Sequence, residues 1–117
     1  MKMRVIKFPI DGTFDDILKF LKKEGFNKYS KSSEYKNRTE AFNAFNDKGV
    51  LFLLRDTIWF ADTSIKKISK DNPVFYINTS TNNFSIFYTN EMGKMVDIIK
   101  NDKEAFLREI NKRFNWQ

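Results

Sequence analysis

Two stretches decide the fold of this chain: residues 50–61, VLFLLRDTIWFA, and residues 74–88, VFYINTSTNNFSIFY. Both are short apolar runs rich in aromatic and β-branched residues, bounded by turn-forming polar residues, which is the pattern of strands. The turn between the last two runs is predicted at Ser80–Asn83. Together the stretches predict four strands: Val50–Leu54, Thr57–Ala61, Val74–Asn78 and Phe84–Tyr88.

A helix is predicted before these strands, over residues 14–24. Thr13 is a suitable N-cap, and Asp16 three residues later completes an acidic variant of the capping box. Gly25 suits the left-handed residue beyond the helix end, and Phe26 can fold back on the helix. The apolar residues recur with helical spacing, at Phe14, Ile17, Leu18 and Leu21.

A second helix is predicted after the strands, over residues 102–114. Asp102 or Asn101 can cap it, and Phe106, Ile110 and Phe114 recur four residues apart. The segment before it, Met95–Ile99, is either a last strand or a helical turn.

The other segments are less regular. Val5–Phe8 is interpreted as a first short strand ended by Pro9, and residues 27–39 as a polar loop. Residues 40–46 are either strand or helix, although the turn signal at 46–49 favours a hairpin with Val50–Leu54. Ile65–Ile68 is a further short strand candidate.

The predicted fold class is therefore α+β. We expect an antiparallel sheet of about five to six short strands, packed against an N-terminal helix at about 14–24 and a C-terminal helix at about 102–114. A length of 117 residues fits a single domain over residues 1–117. Aromatic residues make up 16% of the chain, enough large side chains for one core.

The composition excludes several chemistries, because the chain has no histidine and no cysteine. Imidazole acid–base catalysis, thiolate nucleophiles, disulfides and zinc–thiolate sites are ruled out. No apolar run approaches the length of a membrane span, and no signal-peptide pattern is visible. We therefore expect a cytoplasmic, non-catalytic protein without a cofactor or a metal.

Three short patterns point to other chemistries, and each has a simpler explanation or an opposing feature nearby. Asp11, Asp15 and Asp16 are candidate ligands for a hard metal ion, but helix capping accounts for acids at these positions. Glu34-Tyr35-Lys36 has the local form of a metal-dependent nuclease motif, in a polar segment that would not fix it. Gly12-Thr13 precedes a helix whose N–H groups could hold an anion, which the three nearby acids oppose.

Two short stretches resemble known families. Lys48-Gly49-Val50-Leu51-Phe52 resembles the start of the aromatic strand signature of RNA-recognition motifs, but Val50 and Arg55 stand where that motif uses stacking aromatics. The sequence from Phe84 to Tyr88, through Met95–Ile99, to Asn101–Ile110 resembles the end of a bacterial pleckstrin-homology-like domain. That resemblance implies late strands closed by a C-terminal helix and a non-catalytic scaffold. The N-terminal helix is not part of that family's plan.

The most informative feature is the location of the positive charge. Lysine and arginine total 21 against 15 acids, and five of the six net positive charges fall between Lys19 and Arg38. Such a patch could attract an acidic protein, a nucleic acid or anionic lipid, and tyrosines within it could stack on bases. The predicted partner-binding residues are Lys22, Lys23, Lys28, Lys31, Lys36, Arg38, Tyr29 and Tyr35.

The function favoured by these observations is protein binding, of the immunity or inhibitor type, in which the basic patch steers an acidic partner. The alternative is nucleic-acid binding through the same patch. The sequence leaves the oligomeric state open. It places Trp59 in a strand of the core and leaves Trp116 either behind the last helix or at an interface.

Overall fold

The computed structural model describes residues 7–26, 28–31, 50–54, 56–61 and 68–114. Within them, one helix precedes a run of strands and a second helix follows it, so the predicted α+β class is confirmed. In chain order the elements are α1 (Phe14–Lys23), β1 (Lys28–Lys31), β2 (Val50–Leu54), β3 (Thr57–Ala61), β4 (Val74–Asn78), β5 (Asn83–Thr89), β6 (Met95–Ile99) and α2 (Lys103–Phe114).

The strands form one sheet whose spatial order follows the chain, β1-β2-β3-β4-β5-β6. Every neighbouring pair from β2 to β6 is antiparallel, as expected for strands joined by short connections. Met95–Ile99, for which strand and helical turn were both open, is a strand. The turn after β4 is held by Asn78, whose side-chain oxygen accepts hydrogen bonds from the N–H groups of Ser80 and Thr81.

The first strand corrects two expectations. Residues 27–39 were expected to be loop, yet Lys28–Lys31 is a strand that pairs parallel to β2, with Tyr29 in register with Leu51. The sheet is therefore not antiparallel throughout. The sequence Lys-Tyr-Ser-Lys has no apolar strand pattern. Among the described strands β1 is at one end of the sheet order, and lysines are common in such edge strands.

The predicted strand at Val5–Phe8 is also corrected where the structure describes it. Residues 7–9 have no strand pairing, while Val5 and Ile6 lie outside the described residues. Phe8 is buried between the helices, with its ring centre 5.4 Å from that of Phe20 in α1 and 6.0 Å from that of Phe106 in α2. Its apolar side chain thus fills the gap between two helices rather than a sheet position.

Both ends of α1 are built as the sequence predicts. The Thr13 hydroxyl accepts a hydrogen bond from the Asp16 N–H, and an Asp16 carboxylate oxygen accepts one from the Thr13 N–H. At the other end Gly25 has a φ of 106°, and the Phe26 N–H donates to the Leu21 carbonyl over 2.9 Å. This bond closes a Schellman motif and directs Phe26 into the core.

The main core lies between the two helices and one face of the sheet. Alternate residues of the central strands point to this face, and each strand contributes two buried side chains. From the helices, Ile17 and Leu21 of α1 and Phe106 and Ile110 of α2 close the layer. The buried strand residues on this face are Leu51 of β2 and, from the three strands that follow it, Ile58, Phe60, Phe75, Ile77, Phe84 and Ile86.

The opposite face of the sheet carries a second apolar cluster. Trp59 is 5% exposed and lies there with Ala61, Val74 and Phe87, next to Ile68 from the segment before β4. The prediction that Trp59 belongs to the core is confirmed. The rest of the predicted strand at Ile65–Ile68, the segment 40–49 and Trp116 lie outside the described residues.

The C-terminal helix is attached to β5 through its cap. The Asp102 side chain accepts a hydrogen bond from the Ala105 N–H over 3.0 Å, and the Asp102 N–H donates to the Phe84 carbonyl over 3.0 Å. Asn101, the other candidate cap, instead adopts a φ of 51° and donates its N–H to the Ser85 hydroxyl. Asp102 is therefore the residue that caps α2.

Replacing the N-cap of α1 should destabilise the protein measurably. Thr13→Ala removes the hydroxyl that satisfies the Asp16 N–H, and loss of such a cap typically costs about 1 kcal/mol. We expect this decrease in the free energy of unfolding in urea titrations. Thr81→Ala, at an exposed position in the turn after β4, is the matched control and should change it by less than about 0.5 kcal/mol. Equal losses in the two variants would contradict the assigned cap.

The same cap predicts a pH dependence. Hydrogen bonds from the Thr13 backbone N–H and then from its hydroxyl lower the pKa of Asp16. Because the folded pKa lies below the unfolded one, the stabilisation is present above the ordinary aspartate range and is lost as pH falls through the lowered pKa. The difference in Tm between the wild type and Asp16→Asn should therefore shrink as the solution is acidified through that range. A difference that grows on acidification would contradict the cap.

Candidate functional site

The amphipathic character of α1 leaves two lysines of its last turn in solvent. Ile17 and Leu21 face the core, so Lys22 and Lys23 lie on the outer side and are exposed. Two of the residues predicted to bind a partner therefore stand at an accessible helix end.

The two helices pack on the same core, and two contacts indicate that they run in the same direction. Near their N-terminal ends, Lys103 forms an ion pair with Asp11, which precedes α1. Near their C-terminal ends, the rings of Phe26 and Phe114 are 5.7 Å apart. The last turns of α1 and α2 consequently lie at the same end of the molecule.

This arrangement adds basic residues that sequence reasoning did not include. Lys112 and Arg113 occupy the last turn of α2, and Lys112 is exposed. Arg113 is held by its surroundings: it donates to the Glu109 carboxylate over 3.0 Å and to the carbonyls of Asp71 and Lys70. The segment that contains Lys70 is therefore attached to the end of α2.

We call this region the basic end, defined by Lys22, Lys23, Lys28, Lys70 and Lys112. Lys28 belongs to it by backbone position, since it starts β1 two residues after Phe26, which packs at the helix ends. The region joins α1, β1, α2 and the segment before β4, whose lysines are up to 90 positions apart in the chain. No sequence window could show this convergence, because it depends on the parallel packing of the two helices.

The remaining predicted site residues are placed as follows. Tyr29 and Lys31 lie in β1, in register with Leu51 and Leu53 of β2. Lys36, Arg38 and Tyr35 lie outside the described residues, as does the whole of Glu34-Tyr35-Lys36. The structure thus brings Lys22, Lys23 and Lys28 together at one end and extends the basic stretch along β1.

Part of this charge has a structural role. The C-terminal end of a helix carries roughly half a negative charge, so lysines in a last turn stabilise it. Here two such ends lie together. The described acids around them are Glu109, which is in an ion pair with Arg113, Glu24, which is partly exposed, and Asp71, which is exposed beside Lys70. The lysines exceed what two half-charges would balance, which leaves a positive surface.

Two of the three acidic candidates near α1 have structural partners, while Asp15 is exposed in the first turn of the helix. Asp16 completes the helix cap, and Asp11 is in the ion pair with Lys103. Within residues 7–26, 28–31, 50–54, 56–61 and 68–114, no group of three or more potential ligand side chains lies together as a metal site would require. The Asp16 carboxylate already accepts the Thr13 N–H, so it occupies the place proposed for an anion.

The remaining sequence features and the comparisons add little to the site. Val50 and Phe52, from the stretch that resembles an RNA-recognition motif, lie in β2, where Phe52 is in register with Trp59.

No helix in the described part of the chain is long and apolar enough to cross a membrane. No family model, no curated protein and no solved structure matches the chain.

The bonds made by Arg113 predict a local effect. Arg113→Gln should remove the guanidinium that holds the carbonyls of Lys70 and Asp71, and the loss of a charged donor costs about 1 kcal/mol or more. Amide exchange at Ser69 and Asn72, which bond to each other's carbonyls, should become faster. Arg108→Gln, an exposed position on the same helix, should leave those rates unchanged. Unchanged exchange in Arg113→Gln would show that the segment is held by other contacts.

Proposed function

We propose that this chain is a non-catalytic module that binds an acidic protein partner through its basic end. The observation that carries the proposal is the convergence of exposed lysines from α1, α2 and the segment before β4 at one end of the molecule. A positive surface of this kind raises the rate of association with a negative one and selects against partners of like charge.

A partner that is a protein, rather than a small molecule, fits the rest of the chain. The sequence contains neither histidine nor cysteine. Of the acids close to α1, Asp16 caps the helix and Asp11 is in an ion pair. A small single domain that neutralises another protein, as immunity proteins and inhibitors do, needs only a stable surface of complementary charge. We therefore place the chain in that class and expect it to act in the cytoplasm, as a scaffold like the one implied by its pleckstrin-homology-like C-terminal third.

Nucleic acid is the alternative partner of the same surface. Binding of single strands combines a positive groove with aromatic side chains on which bases stack. Two described aromatic rings lie at the basic end: that of Phe26, which is buried, and that of Phe114, which is partly buried and packs against Phe26 and Phe75. Both are engaged in the core rather than presented for stacking, and this favours the acidic protein.

The test compares two charge-reversal variants of equal charge. Lys23→Glu with Lys112→Glu changes the basic end, whereas Lys7→Glu with Lys94→Glu changes exposed lysines elsewhere. In affinity capture from the native host, we expect an acidic protein that the wild type and the control retain. This protein should associate at least about tenfold more slowly with the basic-end variant than with the wild type. The difference between the two rates should diminish at high salt.

Two outcomes contradict the proposal. Equal association rates for both variants would remove the basic end from the interface. Retention of DNA or RNA in gel shifts, with affinity that falls steeply between about 50 and 200 mM salt, would assign the same surface to nucleic acid. Unfolding curves of both variants verify that neither loss reflects a failure to fold.

A further inference from the structure

One exposed acid stands among the lysines of the basic end. Asp71 follows Lys70 directly in the segment before β4, and both residues are exposed. Among the described residues, the carboxylates that form ion pairs are those of Asp11 and Glu109, so the Asp71 carboxylate has no cationic partner within them. A carboxylate that no cation of its own chain engages is available to a cation of another molecule.

The backbone around Asp71 is fixed, so its charge has a defined place. Ser69 and Asn72 exchange backbone hydrogen bonds over 3.1 Å, and the Asn72 N–H also donates to the Ser69 hydroxyl over 3.3 Å. Arg113, in the last turn of α2, donates to the Asp71 carbonyl. Asp71 therefore lies in a tight turn that is attached to the basic end by a guanidinium.

The other acids near the basic end are less available to a partner. Glu109 is in an ion pair with Arg113 over 3.0 Å, and Glu24 is only partly exposed. A uniformly negative molecule placed on the basic end would bring negative charge close to Asp71. Like charges brought together at an interface cost binding free energy, which is one way in which proteins reject wrong partners.

We propose that Asp71 determines the specificity of the basic end, and that the partner carries a lysine or arginine within its acidic surface to face this residue. The assignment rests on the proposed function and specifies the partner further. The partner is a protein surface of mixed charge, in which acids oppose the lysines and a cation opposes Asp71. Uniform polyanions are selected against, because they have no cation to place there.

The test measures the binding of two synthetic peptides in titrations followed by amide NMR. The mixed peptide is acetyl-Glu-Glu-Lys-Glu-Glu-amide, and the uniform peptide has glutamine in place of the lysine. Each is titrated into the wild type, into Asp71→Asn and into Asp15→Asn. Asp15 is exposed in the first turn of α1, at the other end of that helix, so its substitution is a control with the same change in charge.

The quantity to compare is the affinity for the mixed peptide divided by the affinity for the uniform one. Asp71→Asn should lower this ratio about threefold, the effect of a typical exposed ion pair, because the lysine of the mixed peptide loses its partner. Asp15→Asn should leave the ratio unchanged. Such a double comparison removes the effect of net charge, which is the same in both variants.

Two results would contradict the assignment in different ways. If both peptides shift the amide resonances of Lys23, Lys70 and Lys112 but Asp71→Asn leaves the ratio unchanged, the basic end binds acids and Asp71 does not select among them. If neither peptide shifts these resonances, the proposed function fails and the role of Asp71 fails with it. Unfolding curves of both variants verify that a changed ratio does not reflect a loss of folded protein.

Discussion

The ring of Phe60 in β3 holds both helices on the sheet. It stacks on Phe75 of β4 at 5.2 Å, meets Phe26 beyond the end of α1 at 5.4 Å and lies 6.3 Å from Phe114 of α2. Aromatic pairs at these distances add to the stabilisation from burial alone. Because Phe26 and Phe114 share this ring, the C-terminal ends of the helices are fixed beside each other, and the lysines of their last turns are brought to one surface.

The charged surface depends on packing in the core, so it could not be predicted from the sequence. The elements that depend on neighbouring residues alone could be. Strands β3 and β4 have the predicted bounds, because each combines a short apolar run with a clear turn signal. The ends of α1 could be predicted equally well, because Thr13, Asp16 and Gly25 act through hydrogen bonds with neighbours in the chain. Local chemistry of this kind is complete within a few residues.

The errors arise where the structure is decided by distant residues. Phe8 follows an apolar, strand-like start, but its place was determined by the space between Phe20 and Phe106. Lys28–Lys31 is a strand because β2 offers a neighbouring edge, which the polar sequence does not reveal. Lys112 and Lys70 were missed as site residues for the same reason: neither is near Lys22 until the helices are packed.

The two sides of the sheet order differ in how they meet solvent. β1 carries lysines, which discourage unspecific pairing through their charge. β6 leaves Met95 and Ile98 exposed, carries one exposed aspartate between its ends, and contains an extra residue at its register break. Burying these side chains in the core of a protein of 117 residues would have added to its stability, which is small in any domain of this size. Their exposure at β6 therefore adds nothing to the hydrophobic stabilisation of the core, which the buried residues of β3, β4 and β5 supply instead.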